Sequence, residues 1–176
     1  MKEYLFENAS KYLLNRNEIT QIQKWTSKQC REILFDSDTN NWKRKQSELN
    51  EKIIGKSQLL FVIEDEDGEV FGYYFNPQIN GKTRYSEADK YTFHFILRSS
   101  KNRFQPQKYE CYYSTYRNNH QKCCRLYSKS HRKLIRLGEL RLMKDNGMFN
   151  QSYSISDISS MGEIVFPKRI VVIQMK

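Results

Sequence analysis

The sequence predicts a mainly β chain with flanking helices, an α+β fold built as a two-sheet antiparallel β-sandwich. Two observations carry this. The apolar runs Leu59 to Ile63 and Val70 to Phe75 flank Glu64-Asp65-Glu66-Asp67-Gly68-Glu69, and Asp-Gly supplies the positive-φ residue that a tight hairpin needs. Many further short segments are rich in aromatic and β-branched residues, while long helical patterns are few.

Taken in order, Asn17 to Trp25 places Ile19, Ile22 and Trp25 three apart behind an N-cap in Asn17, which predicts a short amphipathic helix sealing one edge of the core. Ile33-Leu34-Phe35-Asp36-Ser37-Asp38 reads as a strand ending in an acidic turn, and Ile54-Gly55-Lys56 leads into the hairpin. In the hairpin, alternation predicts Leu60, Val62 and Phe71 buried, with Asp65 to Gly68 exposed. Tyr91 to Leu97 and Ile164 to Ile173 have strand composition. Because Pro167 cannot donate to a ladder, Glu163 to Phe166 is expected at an edge and Arg169 to Met175 as the buried closing strand. Leu140, Leu142 and Tyr153 or Ile155 are further strand positions around the turn Asp145-Asn146-Gly147.

With 176 residues and 38% hydrophobic content the chain supports one core. The expected division is an N-terminal extension over 1–16 and one domain over 17–176. Met1 to Leu14 has neither the apolar region of a signal peptide nor a membrane span, so a cytoplasmic location is expected, with the nucleus as an alternative. Four cysteines, at 30, 111, 123 and 124, form no Cys-x-x-Cys pair and read as free thiols.

The succession Trp25, Ile33 to Asp38, Ile54 to Ser57, Leu59 to Val62, Asp65 to Gly68, Phe71-Gly72-Tyr73 and Phe93-His94-Phe95-Ile96-Leu97 resembles the first two-thirds of a TLDc domain. That family typically has a strand with a serine-rich turn, a strand ending in Lys-Asp-x-Asp-Gly, then Phe-Gly, then Phe-Leu-Phe-Ser-Leu. Leu137 to Leu142 sits at its Phe-Gly-Leu-x-Leu strand and Ile164 to Ile173 at its closing strand. The resemblance covers most of residues 17–176, as a divergent, protozoan-type member. It implies two antiparallel sheets with peripheral helices, a link to oxidative-stress resistance, and binding to the vacuolar proton-pumping ATPase. It implies no catalytic residues and no cofactor. In place of the family's glycine-rich segment stands the basic stretch Lys122 to Arg136.

Three constellations bear on chemistry. Asp36, Asp38 and Asn40 begin like a calcium loop, but Asn41 stands where the turn glycine belongs and Ser47 where the bidentate glutamate belongs. A turn capped by its own side chains accounts for the same residues. Cys111, Cys123, Cys124, His120 and His131 lack zinc-ligand spacing, so no metal is expected. His94 lies between Phe93 and Phe95 on a predicted strand, facing away from them, and reads as outward or hydrogen-bonded rather than as a base. A redox role for Cys123 or Cys124 would need neighbouring cations to lower a thiol pKa.

Charge is concentrated. Between Arg98 and Lys144 there are thirteen basic residues against two acidic ones, in a chain whose net charge is +10. Such a field attracts phosphates, acidic lipids or acidic protein surfaces. Phe104, Tyr109, Tyr112, Tyr113, Tyr116 and Tyr127 in the same window could stack on bases, although no nucleic-acid-binding motif accompanies them. The sequence therefore reads as a non-enzymatic, TLDc-like protein-interaction domain without a cofactor. It engages an acidic partner through Arg125, Lys129, Arg132, Lys133 and Arg136. The alternative is a nucleic-acid-binding regulator using residues 98–144, with weak, salt-sensitive affinity.

Overall fold

The computed structural model describes residues 12–81, 85–99, 106–111, 122–138, 140–143, 152–153, 163–164 and 167–176. In chain order the elements are α1 (Arg16–Thr26), β1 (Cys30–Asp36), α2 (Leu49–Ile53), β2 (Leu59–Asp65), β3 (Val70–Phe75), β4 (Ser86–Glu87), β5 (Phe93–Arg98), β6 (Gln107–Glu110), β7 (Lys122–Leu126), β8 (Lys133–Leu137), β9 (Leu140–Met143), β10 (Ser152–Tyr153), β11 (Glu163–Ile164) and β12 (Pro167–Met175). They build a six-stranded sheet ordered β1-β12-β2-β3-β5-β6, a four-stranded sheet ordered β4-β7-β8-β9, and the pair β10-β11. The described pairings are antiparallel.

The large sheet is covered on both faces. Leu60, Val62, Phe93, Phe95, Val171 and Ile173 share one cluster with Ile19 and Ile22 of α1. Leu59, Phe61, Ile63, Phe71, Phe75 and Val172 share the other with Leu134, Ile135, Leu137, Leu140 and Leu142 of the small sheet and with Leu49 and Ile53 of α2. A strand buried on both faces needs apolar residues at every position, which is why β2 reads Leu-Leu-Phe-Val-Ile instead of alternating.

The helix is capped by Asn15, two residues before the predicted cap. Asn15 Oδ1 accepts the Glu18 N–H at 3.0 Å, and the Glu18 carboxylate accepts the Asn15 N–H at 2.8 Å. Glutamate three residues after Asn15 completes a capping box, a partner that Asn17 lacks. Glu18 is buried and takes the Arg98 Nε at 2.6 Å, while Arg98 also donates to the Leu13 carbonyl at 2.8 Å. Tyr12, Leu13 and Leu14, ahead of the division at residue 16, are buried in the same layer. The Trp25 ring meets Phe93 edge-on at 6.0 Å, so its part in the core is packing.

The hairpin forms with Gly68 at φ +78°. The Gly68 N–H donates to the Asp65 carbonyl and the Asp65 N–H to the Glu69 carbonyl, each at 3.1 Å. Leu60, Val62 and Phe71 are buried, and residues 66–68 are exposed. Asp65, expected exposed, is buried: its Oδ1 accepts the Asp67 N–H at 3.0 Å and the Glu69 N–H at 2.8 Å, which draws the side chain under the turn.

Leu137 to Leu142 departs from the sequence expectation, whereas the buried closing strand at Arg169 to Met175 is as expected. Leu137 to Leu142 is no single strand, because Leu137 pairs with Leu140 across a turn in which Gly138 has φ +59°, making a β8-β9 hairpin. Pro167 opens β12, which then runs between β1 and β2 inside the sheet, while Glu163 and Ile164 pair with β10 in a separate ladder. A first residue needs no donor, so proline is tolerated there. The turn at 145–147 and Ile155 lie outside the described residues.

The Asp36 loop is held internally. Asp36 Oδ1 accepts the Asp38 N–H at 3.0 Å, and Asn40 Oδ1 accepts the Asp36 N–H at 3.0 Å. Arg169 lies 2.7 Å from Asp36 and 3.1 Å from Asp38, so a guanidinium stands against both carboxylates. Burial raises the Asp36 carboxyl, and the bonds and charge of Arg169 with the Asp38 N–H outweigh it, leaving the group below its ordinary pKa. Burial raises Asp65, and the nearby Glu69 and Asp67 carboxylates add to that against its N–H bonds, leaving it above its ordinary pKa.

The two aspartates should therefore respond oppositely. Stability from Asp36 is present above the ordinary carboxylate pKa and is lost as pH falls through the depressed one. Ionised Asp65 is penalised at neutral pH, and that penalty is relieved as pH falls through its raised pKa. Asp36→Asn should cost about 2–3 kcal/mol at neutral pH, the scale of a charged hydrogen bond. Asp65→Asn keeps the Oδ1 acceptor of both turn bonds and should be neutral or stabilising. Urea denaturation of both variants checks this, and equal losses would contradict it.

Candidate interaction surface

The small sheet has one face in the core and one outward. Cys124 pairs with Leu137 and Leu126 with Ile135, and these side chains pack inward. Arg125 pairs with Arg136 between them, and residues directly opposed on adjacent strands point to one side. That side is outward. The register also places Arg141 of β9 beside Arg136. The remaining sequence-predicted site residues stand at the β7-β8 connection: Lys129 and Arg132 exposed in the turn, Lys133 half-buried at the start of β8. All five are thus brought together.

Arg125 is clamped. Its guanidinium carbon lies 4.9 Å from the Tyr85 ring centre and 4.8 Å from that of Tyr127, and one of its terminal nitrogens donates to the Tyr85 hydroxyl at 2.7 Å. The Arg136 Nε donates to the Gly138 carbonyl at 2.6 Å. His131 stacks on Tyr127 at 4.5 Å, and its Nδ1 accepts the Lys133 N–H at 2.9 Å, which shapes the turn. The five cations therefore differ in kind: Lys129 and Arg132 are exposed in the turn, whereas Arg125 and Arg136 are built into the sheet.

A second basic segment docks here that the sequence count placed elsewhere. The Lys45 N–H donates to the Lys129 carbonyl at 2.7 Å, and the Arg44 Nε donates to the Ser130 carbonyl at 2.8 Å. Asn50 of α2 donates to the Tyr127 carbonyl at 2.8 Å. These bonds lay the loop Lys43-Arg44-Lys45, exposed at all three residues, along the turn 128–132. The run Lys-Arg-Lys was the available signal, but nothing in the sequence showed which segment it would face. Glu51 offers a carboxylate to Lys129 at 2.5 Å between two well-exposed side chains, a pair that contributes little in water.

The other candidate groups are engaged differently. Cys124 is inside the core, where burial pushes its thiol up to about 12, and burial does the same to Cys30, also to about 12. Burial thus favours the thiol at Cys124, whereas the thiolate is the reactive form. The Cys123 side chain lies outside the described residues, as do His120, Phe104, Tyr112, Tyr113 and Tyr116. Among the described residues, no three His, Cys, Asp or Glu side chains are grouped to hold a metal ion, and no helix is long and apolar enough to cross a membrane.

His94 faces away from Phe93 and Phe95, as alternation requires, but it is neither outward nor hydrogen-bonded. Its ring lies between Tyr109, stacked at 4.9 Å, and Tyr73 at 5.6 Å. Among the described residues, neither buried ring nitrogen has a hydrogen-bond partner. Such an orphan costs about 1–3 kcal/mol. His94→Phe keeps the stacked ring and removes the orphan atoms, so a higher thermal midpoint is expected. A lower one would mean that the nitrogens have a partner.

Fold and surface together define a class: a β-sandwich with one helix-covered sheet and a basic face on the other. The family model of the TLDc domain matches residues 7–157, and the chain belongs to the TLDc domain family. No curated protein matches the sequence.

Proposed function

We propose that this chain is a non-enzymatic interaction domain of the cytosol that engages an acidic protein partner through the surface made by Lys43 to Lys45 and residues 125–136. The observation that carries the reading is the docking of two basic segments, far apart in sequence, through the Lys45–Lys129 and Arg44–Ser130 bonds. A cationic face fixed by hydrogen bonds to backbone carbonyls presents its charge without a large ordering cost on binding. Two features favour protein over nucleic acid. Tyr127 is buried, with His131 stacked on its ring and the Arg125 guanidinium also against it, and Tyr109 has one face taken by His94, so Tyr127 offers no open ring face and Tyr109 at most one for bases to stack on. The burial of Cys124 and the seat of His94 between two tyrosines support a role without catalysis. Family resemblance directs the partner search to the vacuolar proton-pumping ATPase and to the oxidative-stress response.

The test replaces Lys43, Lys45, Lys129 and Arg132 by glutamine together. These side chains are exposed, unlike those of Arg125 and Arg136, so the melting temperature should hold within a few degrees. Affinity for the captured partner, and for a glutamate-rich peptide at about 0.15 M salt, should fall at least about tenfold, which is only about 1.4 kcal/mol shared over four charges. Unchanged affinity in a folded variant would reject the proposal. Tight binding of one RNA or DNA sequence, lost in the same variant, would replace it with the nucleic-acid reading.

A further inference from the structure

Within that surface, and resting on the proposed role, we infer that Ser130 is a phosphorylation site whose phosphate turns off binding of the acidic partner. Ser130 lies in the exposed turn between β7 and β8. Its carbonyl accepts the Arg44 Nε at 2.8 Å, and the carbonyl of the preceding Lys129 accepts the Lys45 N–H at 2.7 Å. The hydroxyl is therefore carried by the residue at which the two basic segments meet. Lys43, Arg44, Lys45, Lys129 and Arg132 are all exposed in those segments, with the Glu51 carboxylate against Lys129. The Ser130 hydroxyl stands 3.2 Å from that of Ser128, and both residues are exposed, so the acceptor oxygen is at the surface and not in the core.

A surface turn opens locally at far lower cost than the sheet that carries it, which lets a kinase take up the segment around Ser130 in extended form. Lys129, Arg132 and Lys133 flank the hydroxyl, so the enzyme is a serine kinase with an acidic peptide groove, as charge complementarity requires. In the transfer, Ser130 Oγ attacks the γ-phosphorus of a nucleoside triphosphate, and the new Oγ–P bond forms as the bond from that phosphorus to the β,γ-bridging oxygen breaks. Nucleoside diphosphate leaves with the electron pair, and the hydroxyl proton passes to the kinase's base. The product carries close to two negative charges near neutral pH. Exposed charges act over about 8 Å at physiological salt, so a phosphate at the junction of the segments cancels much of the field that draws carboxylates in and repels those that arrive. Repulsion of one carboxylate by two charges at about 5 Å, screened by salt, is worth roughly fivefold in affinity, and a peptide with several carboxylates meets more.

The experiment has two arms on the full chain. In the first, the chain is treated with magnesium, adenosine triphosphate and a serine kinase that takes basic substrates, and mass spectrometry locates the phosphate, in parallel with chain purified from its native cell under phosphatase inhibition. Phosphate at Ser130 is expected, and an unmodified Ser130 in both samples overturns the site. In the second, phosphoserine is installed at position 130 during synthesis, and fluorescence anisotropy of the glutamate-rich peptide is measured at about 0.15 M salt. Affinity should fall at least about tenfold at pH about 7.5 relative to the unmodified chain, and the loss should shrink at pH about 5.5, as the phosphate gives up its second charge around pH 6. Phosphatase treatment should restore binding. In Ser130→Ala, which keeps the carbonyl that holds Arg44, kinase-treated and untreated chain should bind alike. Equal affinity of the phosphorylated and unmodified chains overturns the switch and leaves the acidic-partner reading standing. A loss of binding that comes with a collapsed melting temperature also rejects it, because unfolding and not charge would be the cause. Failure of the unmodified chain to bind any acidic peptide overturns both.

Discussion

Gly72→Ala should leave little or no folded protein at physiological temperature. A Cβ at residue 72 would lie 1.8 Å from the Phe61 carbonyl oxygen, a backbone atom of the neighbouring strand, and 2.9 Å from the Phe95 ring. A flexible side chain could step aside, but this oxygen belongs to the β2-β3 ladder, where Phe61 pairs with Tyr73 and Val62 with Gly72. Relief requires the two central strands to separate, and both lie in the two-faced core. The cost should exceed the usual overpacking range of about 1–3 kcal/mol. Circular dichroism and a thermal melt of the purified variant check it, and a melting temperature near wild type would contradict the strand contact. Gly72 thus gives the Phe-Gly pair of the hairpin its physical meaning: the glycine admits a neighbouring carbonyl.

The second large effect is Phe71→Ala, expected to destabilise by about 3–5 kcal/mol through lost burial and the cavity left behind. Phe71 is 5% exposed and packs in the cluster between the two sheets. Its pairings with Ile63 on one side and Ile96 on the other hold the surrounding backbone, so the site has little room to collapse. Phe71→Leu should recover much of the loss. Urea titration with a shared slope measures both variants, and a loss under about 1 kcal/mol for alanine, the scale of a surface change, would show that Phe71 does not anchor the inter-sheet core.

What was readable in the sequence follows from how local each signal is. The hairpin at 59–75 is set by its own turn and apolar runs, and α1 by its own periodicity, so both were legible. The cap lies two residues from the sequence expectation because Asn15, not Asn17, has a glutamate three positions on. Features that depend on partners from elsewhere were not legible. β4 is two residues long and exists because Ser86 meets Cys124. α2 is one short turn whose Leu49 and Ile53 gain meaning only against the sandwich core. Asp65 looked like one more turn carboxylate until its two N–H bonds were in place, and His94 has an unusual seat only because Tyr73 and Tyr109 flank it in register. The basic window was visible as composition. That Lys43 to Lys45 joins it, and that Arg125 and Arg136 are structural as well as charged, required the fold.

One basic surface is assembled from two segments, and variants confined to the segment outside the basic window test whether both are needed. Lys43→Gln with Lys45→Gln, in the full chain, should weaken binding of the captured partner and of the glutamate-rich peptide about as much as Lys129→Gln with Arg132→Gln does, with melting unchanged. Full affinity in the Lys43/Lys45 variant, alongside a loss in the Lys129/Arg132 variant, would contradict the account by confining the site to the β7-β8 turn.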